Sequence, residues 1–435
     1  MTGIERKKGR QIKIEALAYG PHGVGRSEGR VILIPLTAPG DEAEFRIVAD
    51  RGNYAVGELT RLITPSVFRQ SPPCPYFSQC GGCPWQHVRY ENQLAAKQKV
   101  VDDALRRIGK LHDFELLPIL PSPREFQYRG RIRLQIDDRK RLGFHRAFSH
   151  DLIEITSCPI AESSVERHLE QAREWLRDLR TPIQQIEIVH GDEPAGAVLA
   201  AKARGGFAPE DDVASSAFLE RNERIKGLII FGRGWRRSWG EGKITLYSEG
   251  GLRAEIDGEV FTQVNRLANR EMIREVLRWG EFHSGDRILE LYSGAGNFTL
   301  PMAKRCGAVT AVESNSAAVA NGQYNSRLNR IENVTWIRSD VLTAVKKLAG
   351  RGEQFTRVLL NPPRAGAKGV EEVLPAFSAE KILYVSCNPA TLARDLAALS
   401  AKNYKITRVR PADLFPHTFH VEVLAEMVVE GRPLI

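Results

Sequence analysis

From about residue 260 onward, short aliphatic runs recur with helical stretches between them, and this alternation restricts the chain to few architectures. The runs are Arg287-Ile-Leu-Glu-Leu-Tyr, Ala308-Val-Thr-Ala-Val-Glu, Val334-Thr-Trp-Ile-Arg, Arg357-Val-Leu-Leu, Lys381-Ile-Leu-Tyr-Val, Lys405-Ile-Thr-Arg-Val and Val421-Glu-Val-Leu-Ala. Strands joined through helices pair in parallel and need both faces covered. They predict an α/β, Rossmann-like domain over 261–435 with a mainly parallel seven-stranded sheet. Residues 1–66 read differently. Gln11-Ile-Lys-Ile-Glu-Ala-Leu, Arg30-Val-Ile-Leu-Ile-Pro-Leu and Glu44-Phe-Arg-Ile-Val are strands separated by Gly/Pro turns with no helix between, as in a small antiparallel β-barrel of OB type. A mixed central domain over 67–260 lies between them.

The chain has 435 residues, enough for two or three domains. The basic N-terminus leads into no apolar run, and no stretch approaches the roughly 20 apolar residues that cross a bilayer. The expectation is a soluble cytoplasmic monomer, with no membrane and no obligate protein partner. Its formal charge of +9 favours a polyanionic partner. Residues 124 to 146 carry eight Arg/Lys against three carboxylates, interleaved with Phe126, Tyr128 and Phe144. In Arg129-Gly-Arg-Ile-Arg-Leu-Gln-Ile, strand alternation places arginines on one face, where they could follow a phosphate backbone while aromatics stack on bases. A merely solvated sheet face is the competing reading.

Cysteines in a cytoplasmic protein are more often ligands or catalysts than disulfides. Cys74, Cys80 and Cys83 fall in one loop, with Cys158 some 75 positions beyond the third. Four thiolates suit a [4Fe-4S] cluster or a structural zinc ion, for which His87 is a spare ligand. Otherwise His87 is a surface residue. Cys306 matches no motif and reads as core.

The segment Glu290-Leu-Tyr-Ser-Gly-Ala-Gly-Asn-Phe-Thr turns from strand to helix, and Gly294 and Gly296 let its backbone approach a ligand. Glu313 ends the next strand, placed to accept from ribose hydroxyls, and Asp340 follows the third, placed to meet an adenine amine. NAD and S-adenosylmethionine (SAM) both fit that much. The fourth strand ends in Asn361-Pro-Pro-Arg and the fifth in Ser386-Cys387-Asn388-Pro389, which favours SAM. A dehydrogenase has no need of a cysteine there.

Phe261-Thr-Gln-Val-Asn, Leu291-Tyr-Ser-Gly-Ala-Gly-Asn-Phe-Thr-Leu-Pro, Val385-Ser-Cys-Asn-Pro-Ala-Thr-Leu-Ala-Arg-Asp and Phe415-Pro-His-Thr-Phe-His-Val-Glu together resemble the RNA uracil-C5 methyltransferase family. The cysteine spacing and the amino-terminal segment, which resembles a TRAM domain, point to its iron-sulfur branch acting on 23S rRNA. The resemblance implies a class I SAM-dependent methyltransferase fold, Cys387 as nucleophile and Glu422 as base. It also implies a SAM site at Gln263, Tyr292, Asn297, Glu313, Asp340 and Asn361, and a [4Fe-4S] cluster on Cys74, Cys80, Cys83 and Cys158. The chemistry asks for such residues: uracil C5 becomes nucleophilic only after a thiolate adds at C6, and a base must then remove the C5 proton. Asn361 stands where the family usually has Asp, keeping a carbonyl acceptor without the charge. Three other readings stay open: methylation of uracil C5 in tRNA, methylation of an exocyclic amine on nucleic acid, and RNA binding without catalysis.

Overall fold

The computed structural model describes residues 10–192 and 196–430. Five strands, Arg10–Leu17, His22–Ser27, Arg30–Pro35, Glu42–Asp50 and Tyr54–Thr64, close into a barrel around Ile12, Ile14, Ile32, Ile34 and Phe45. Two of these are absent from the sequence reading. In His22–Ser27 the glycines that looked like turn signals serve closure instead. A Cβ on Gly23 would sit 2.2 Å from the Thr37 hydroxyl oxygen, and one on Gly25 2.4 Å from the Lys13 carbonyl oxygen.

The central region is a seven-stranded sheet in the order Trp235–Gly240, Ile225–Gly232, Ala197–Ala203, Ile183–His190, Arg131–Ile136, Leu142–His145, Leu152–Glu154. The helices Leu169–Asp178 and Glu210–Arg221 supply buried Trp175 and Phe218 to its core. The outward arginine face expected at 129–133 is not there. Arg131 is buried, pairs with Glu187 at 3.1 Å, and donates to the carbonyls of Val260 and Gly258. Arg133 stays exposed but also pairs with Glu187, at 2.6 Å. Alternation correctly separated arginines from aliphatics; it could not show that neighbouring strands bring a carboxylate and the next domain against that side.

The C-terminal sheet contains all seven expected strands, and Glu115–Leu116 extends it to eight. The order is Val334–Arg338, Ala308–Glu313, Arg287–Leu291, Arg357–Leu360, Lys381–Ser386, Glu422–Val429, Tyr404–Ala412, Glu115–Leu116. The added strand runs parallel to Tyr404–Ala412. Val101, Ala104 and Leu105, from the helical stretch that begins at Tyr90, share one core with Leu360 and Val423. Part of the 67–260 segment therefore packs with the C-terminal unit, a placement that a two-residue strand carries no periodicity to announce. The hairpin Lys243–Tyr247/Arg253–Asp257 joins the two units from the other side. Asn321, Asn325 and Asn329, four apart on the helix, accept from the backbone N–H groups of Asp257, Glu255 and Arg253.

No helix among the described residues is long and apolar enough to cross a membrane.

Candidate active site

The parallel order reverses between Arg287–Leu291 and Arg357–Leu360, whose neighbours run to opposite sides, and ligands bind at the carboxyl edge of such a switch point. Five of the six expected cofactor residues, Tyr292, Asn297, Glu313, Asp340 and Asn361, lie at the ends of these strands or in the turn after the first. The turn after Leu291 is held in left-handed backbone at Tyr292 (φ +64°), Gly294 (φ +57°) and Gly296 (φ +99°). A Cβ on Gly294 would meet nothing within 4 Å, so this backbone fronts open space. The Gly294 N–H donates to Glu313 at 3.1 Å and that of Asn315 at 2.7 Å, which orients the carboxylate beside the turn. Asp340 caps the helix Val341–Gly350 through the Thr343 N–H, 3.0 Å away. Asn361 is tied to the first strand by its N–H on the Leu291 carbonyl at 3.2 Å. Asn297 exchanges amide hydrogen bonds with Asn269 at 2.8 and 3.0 Å. Gln263 lies half-buried in the loop ahead of the helix Arg266–Gly280. These residues fit an adenosine-bearing cofactor, with acceptors for its hydroxyls and an open glycine turn beneath it. Asn269 is an addition that no motif announces. Glu290 begins the quoted segment but was given no role there; it is buried, and desolvation pushes its carboxyl up to about 8.

Cys387 and Glu422 come together by register. Lys381–Ser386 and Glu422–Val429 are antiparallel neighbours with Ser386 opposite Val423, so the next step sets Cys387 beside Glu422. Cys387 is half-buried, and burial followed by the Glu422 charge raises its thiol above the usual range, against the pull of Arg364. Glu422 is buried, and desolvation moves its carboxyl up to about 8, again against Arg364. The Arg364 backbone is clamped: its carbonyl accepts from Asn388 Nδ2 at 3.0 Å and Thr391 Oγ1 at 3.2 Å. Asn388 also caps the helix Pro389–Ser400. The Arg364 guanidinium also reaches the ring of His420 at 3.3 Å, and burial drives that imidazole down to about 4, leaving it neutral. Arg364 was visible only as the letter following Pro-Pro; its place near both thiol and acid needed the fold.

The Asp413–His420 turn that precedes Glu422 is fastened from the helix Tyr90–Asp103. Fully buried Lys97 pairs with Asp413 at 2.6 Å and donates to the Phe415 carbonyl at 3.0 Å. Gln93 accepts from the His417 N–H at 2.7 Å, which supports that residue's φ of +67°. Their spacing of four places both on one helix face.

The four remaining motif cysteines line one cavity of about 70 Å³, together with Arg129 and Phe144. None of them is in a disulfide. Burial raises each of them, and Arg129 offsets this for Cys80, Cys83 and Cys158. Among the described residues no three Cys, His, Asp or Glu side chains gather tightly enough to hold a single ion. The thiols border a space instead of converging on a point. His87 is buried, not at the surface, and burial drives its imidazole down to about 4. Cys306 is buried, as expected.

Residues 251–426 match the family described as tRNA (Uracil-5-)-methyltransferase. A 23S rRNA (uracil(1939)-C(5))-methyltransferase RlmD from Pectobacterium atrosepticum is 32% identical, covering 95% of this chain and 92% of its own length. The chain belongs to the RNA uracil-C5 methyltransferase family. It is a SAM-dependent RNA methyltransferase. The RlmD of Vibrio vulnificus is likewise 32% identical over 96% of each chain. Among solved structures, the Pyrococcus abyssi tRNA (uracil-54, C5)-methyltransferase in complex with S-adenosyl-L-homocysteine superposes with a TM-score of 0.75 at 25% identity. It covers 96% of this chain and all of that one. That likeness extends over the barrel, the central sheet and the C-terminal sheet.

Proposed function

We propose that this methyltransferase modifies C5 of a uracil in 23S rRNA through a transient bond from Cys387 Sγ to uracil C6. The observation that carries the reading is the meeting of a half-buried thiol and a buried carboxyl at adjacent strand ends, with Arg364 beside both. The Cys387 thiolate adds to C6, and the C5–C6 π electrons move onto the ring as an enolate. SAM, when bound, supplies an electrophilic methyl group for C5. Glu422, ionised, then takes the C5 proton, and the electron pair of that C–H bond reforms C5=C6 as the C6–S bond breaks. Arg364 favours the charged forms of both Cys387 and Glu422 in a site that otherwise resists charge. Gln263, Tyr292, Asn297, Glu313, Asp340 and Asn361 hold the methyl donor. Uracil C6 is covered in a duplex, so the target is unpaired or flipped out.

A [4Fe-4S] cluster on Cys74, Cys80, Cys83 and Cys158 fits the cavity they line, since a cluster needs thiolates spread around a volume and a zinc ion needs them gathered at about 2.3 Å from one centre. It would tie the cysteine loop to the central sheet, with Arg129 countering the negative charge. The barrel, TRAM-like in sequence, serves as an RNA grip in the cytoplasm. Identity of 32% to proteins named for 23S rRNA, against 25% to the tRNA enzyme over a similar length, supports that substrate over tRNA.

The test is tritium release from [5-³H]uracil-labelled 23S rRNA, combined with a denaturing gel. Glu422→Gln is expected to build up an RNA–protein adduct while release drops about 10²-fold or more. Release at the parent rate from Glu422→Gln would remove its role. Mass-spectrometric mapping of 5-methyluridine in a deletion strain identifies the RNA.

A further inference from the structure

The barrel reaches the reacting sulfur. Tyr19, in the loop between the strands Arg10–Leu17 and His22–Ser27, donates its hydroxyl to the carbonyl of Cys387 at 2.9 Å, across 368 positions of sequence. Its ring meets Phe419 edge-on at 5.7 Å, and Phe419 lies 4.3 Å from the ring of His420, two residues before Glu422. The loop is itself anchored: Trp85 Nε1 donates to the Gly20 carbonyl at 3.2 Å, and Leu17, Ala38, Trp85 and Val88 form a small core against which Phe419 packs. Tyr19 nonetheless stays 37% exposed. A peptide plane at a strand end has few fixed partners, and here the carbonyl of the nucleophile's own residue is held by another domain.

We propose that Tyr19 is a positioning residue for Cys387, so that seating of the barrel sets where the sulfur stands relative to uracil C6. This rests on Cys387 being the nucleophile. Burial, followed by the charge of Cys387, pushes the Tyr19 phenol up to about 12, so it remains a hydrogen-bond donor throughout the working range. The barrel then does more than grip RNA: when it is displaced, the thiol loses its alignment, and addition to C6 is coupled to RNA engagement.

The experiment uses the full-length protein and transcribed 23S rRNA containing 5-fluorouridine, which has no C5 proton to lose and so keeps the C6–S bond. Tyr19→Phe removes one oxygen and leaves the ring. It is expected to slow adduct formation about tenfold while the KM for RNA, the affinity for SAM and the melting temperature stay within about twofold or one degree of the parent. Adduct formation at the parent rate overturns the proposal, and so does a loss confined to the KM for RNA, which would make Tyr19 a stacking residue only. Should Tyr19→Phe soften the fold, Trp85→Phe is the comparison, because it releases the other anchor of the loop and retains the Tyr19 hydroxyl. At equal melting temperature the proposal requires Tyr19→Phe to react more slowly; equal rates overturn it. A parent protein that forms no adduct overturns this inference and the Cys387 reading together.

Discussion

The molecule keeps its cysteines in two contrasting environments. Cys387 stands at an open strand end, and the Cys74, Cys80, Cys83 and Cys158 group encloses a cavity. Burial raises the thiol in both places, and an arginine opposes it in both, Arg364 in one and Arg129 in the other. The difference lies in the remaining company. Cys387 has an acid, Glu422, that can hold or release a proton beside it; the grouped cysteines have chiefly one another and Arg129. One thiol next to a titrating acid is equipped to form and break a covalent bond. Several thiols around a space, with a fixed cation, are equipped to stay ligated.

Removing each sulfur should therefore have different consequences. The largest effect belongs to Cys387→Ala, expected to lower turnover by about 10³-fold or more and to abolish the fluorouridine adduct, with SAM affinity retained. Turnover near the parent level would erase the distinction between the two environments. Cys158→Ala, by contrast, is expected to lose iron and the broad iron-sulfur absorbance at about 400 nm while still binding SAM. Zinc without iron in anaerobically purified parent protein would replace the cluster with a single ion.

Acidity sharpens the comparison next. Cys387 and Glu422 must both shed a proton to act, and both are raised, Glu422 to about 8, so activity should climb as pH rises through that value. The stability consequence has the opposite sign. Between the ordinary carboxylate value and about 8 the folded protein holds a proton that the unfolded chain releases, so stability conferred by neutral Glu422 is present at low pH and lost on the way up. Glu422→Gln should melt a few degrees above the parent at high pH and not at low pH, measured by calorimetry. The smallest expected effect is that of Asn361→Asp, a shift in SAM KM of less than about tenfold, because the change adds charge at one of several contacts. A larger shift would make position 361 the main determinant of donor affinity.

Much of this contrast was legible in the sequence. The seven strands of the C-terminal sheet announced themselves through short aliphatic runs set between helical stretches, most fully in Lys381–Ser386, which is buried along its whole length. The cofactor turn was legible through Gly294 and Gly296, whose left-handed backbone admits few other residues. Cys387 stood out because it closes a strand and precedes Asn-Pro. Less accessible were the barrel strand His22–Ser27, whose glycines mimic turns, and Glu115–Leu116, too short for any period. The strand arginines were misplaced because a face is defined by what packs on it, and Glu187 arrives from a strand some 50 residues later.

Local order, strand by strand, together with the chemical character of each motif, was set by the sequence alone, since periodicity, turn residues and side-chain chemistry act over a few neighbouring positions. Tertiary structure alone decided proximity: Glu422 beside Cys387, Arg364 near both, Lys97 against the turn that leads to Glu422, and Tyr19 on the Cys387 carbonyl. Those contacts join residues separated by up to several hundred positions. Shifts in acidity follow from desolvation and neighbouring charge, and neither exists until the chain has closed around the site.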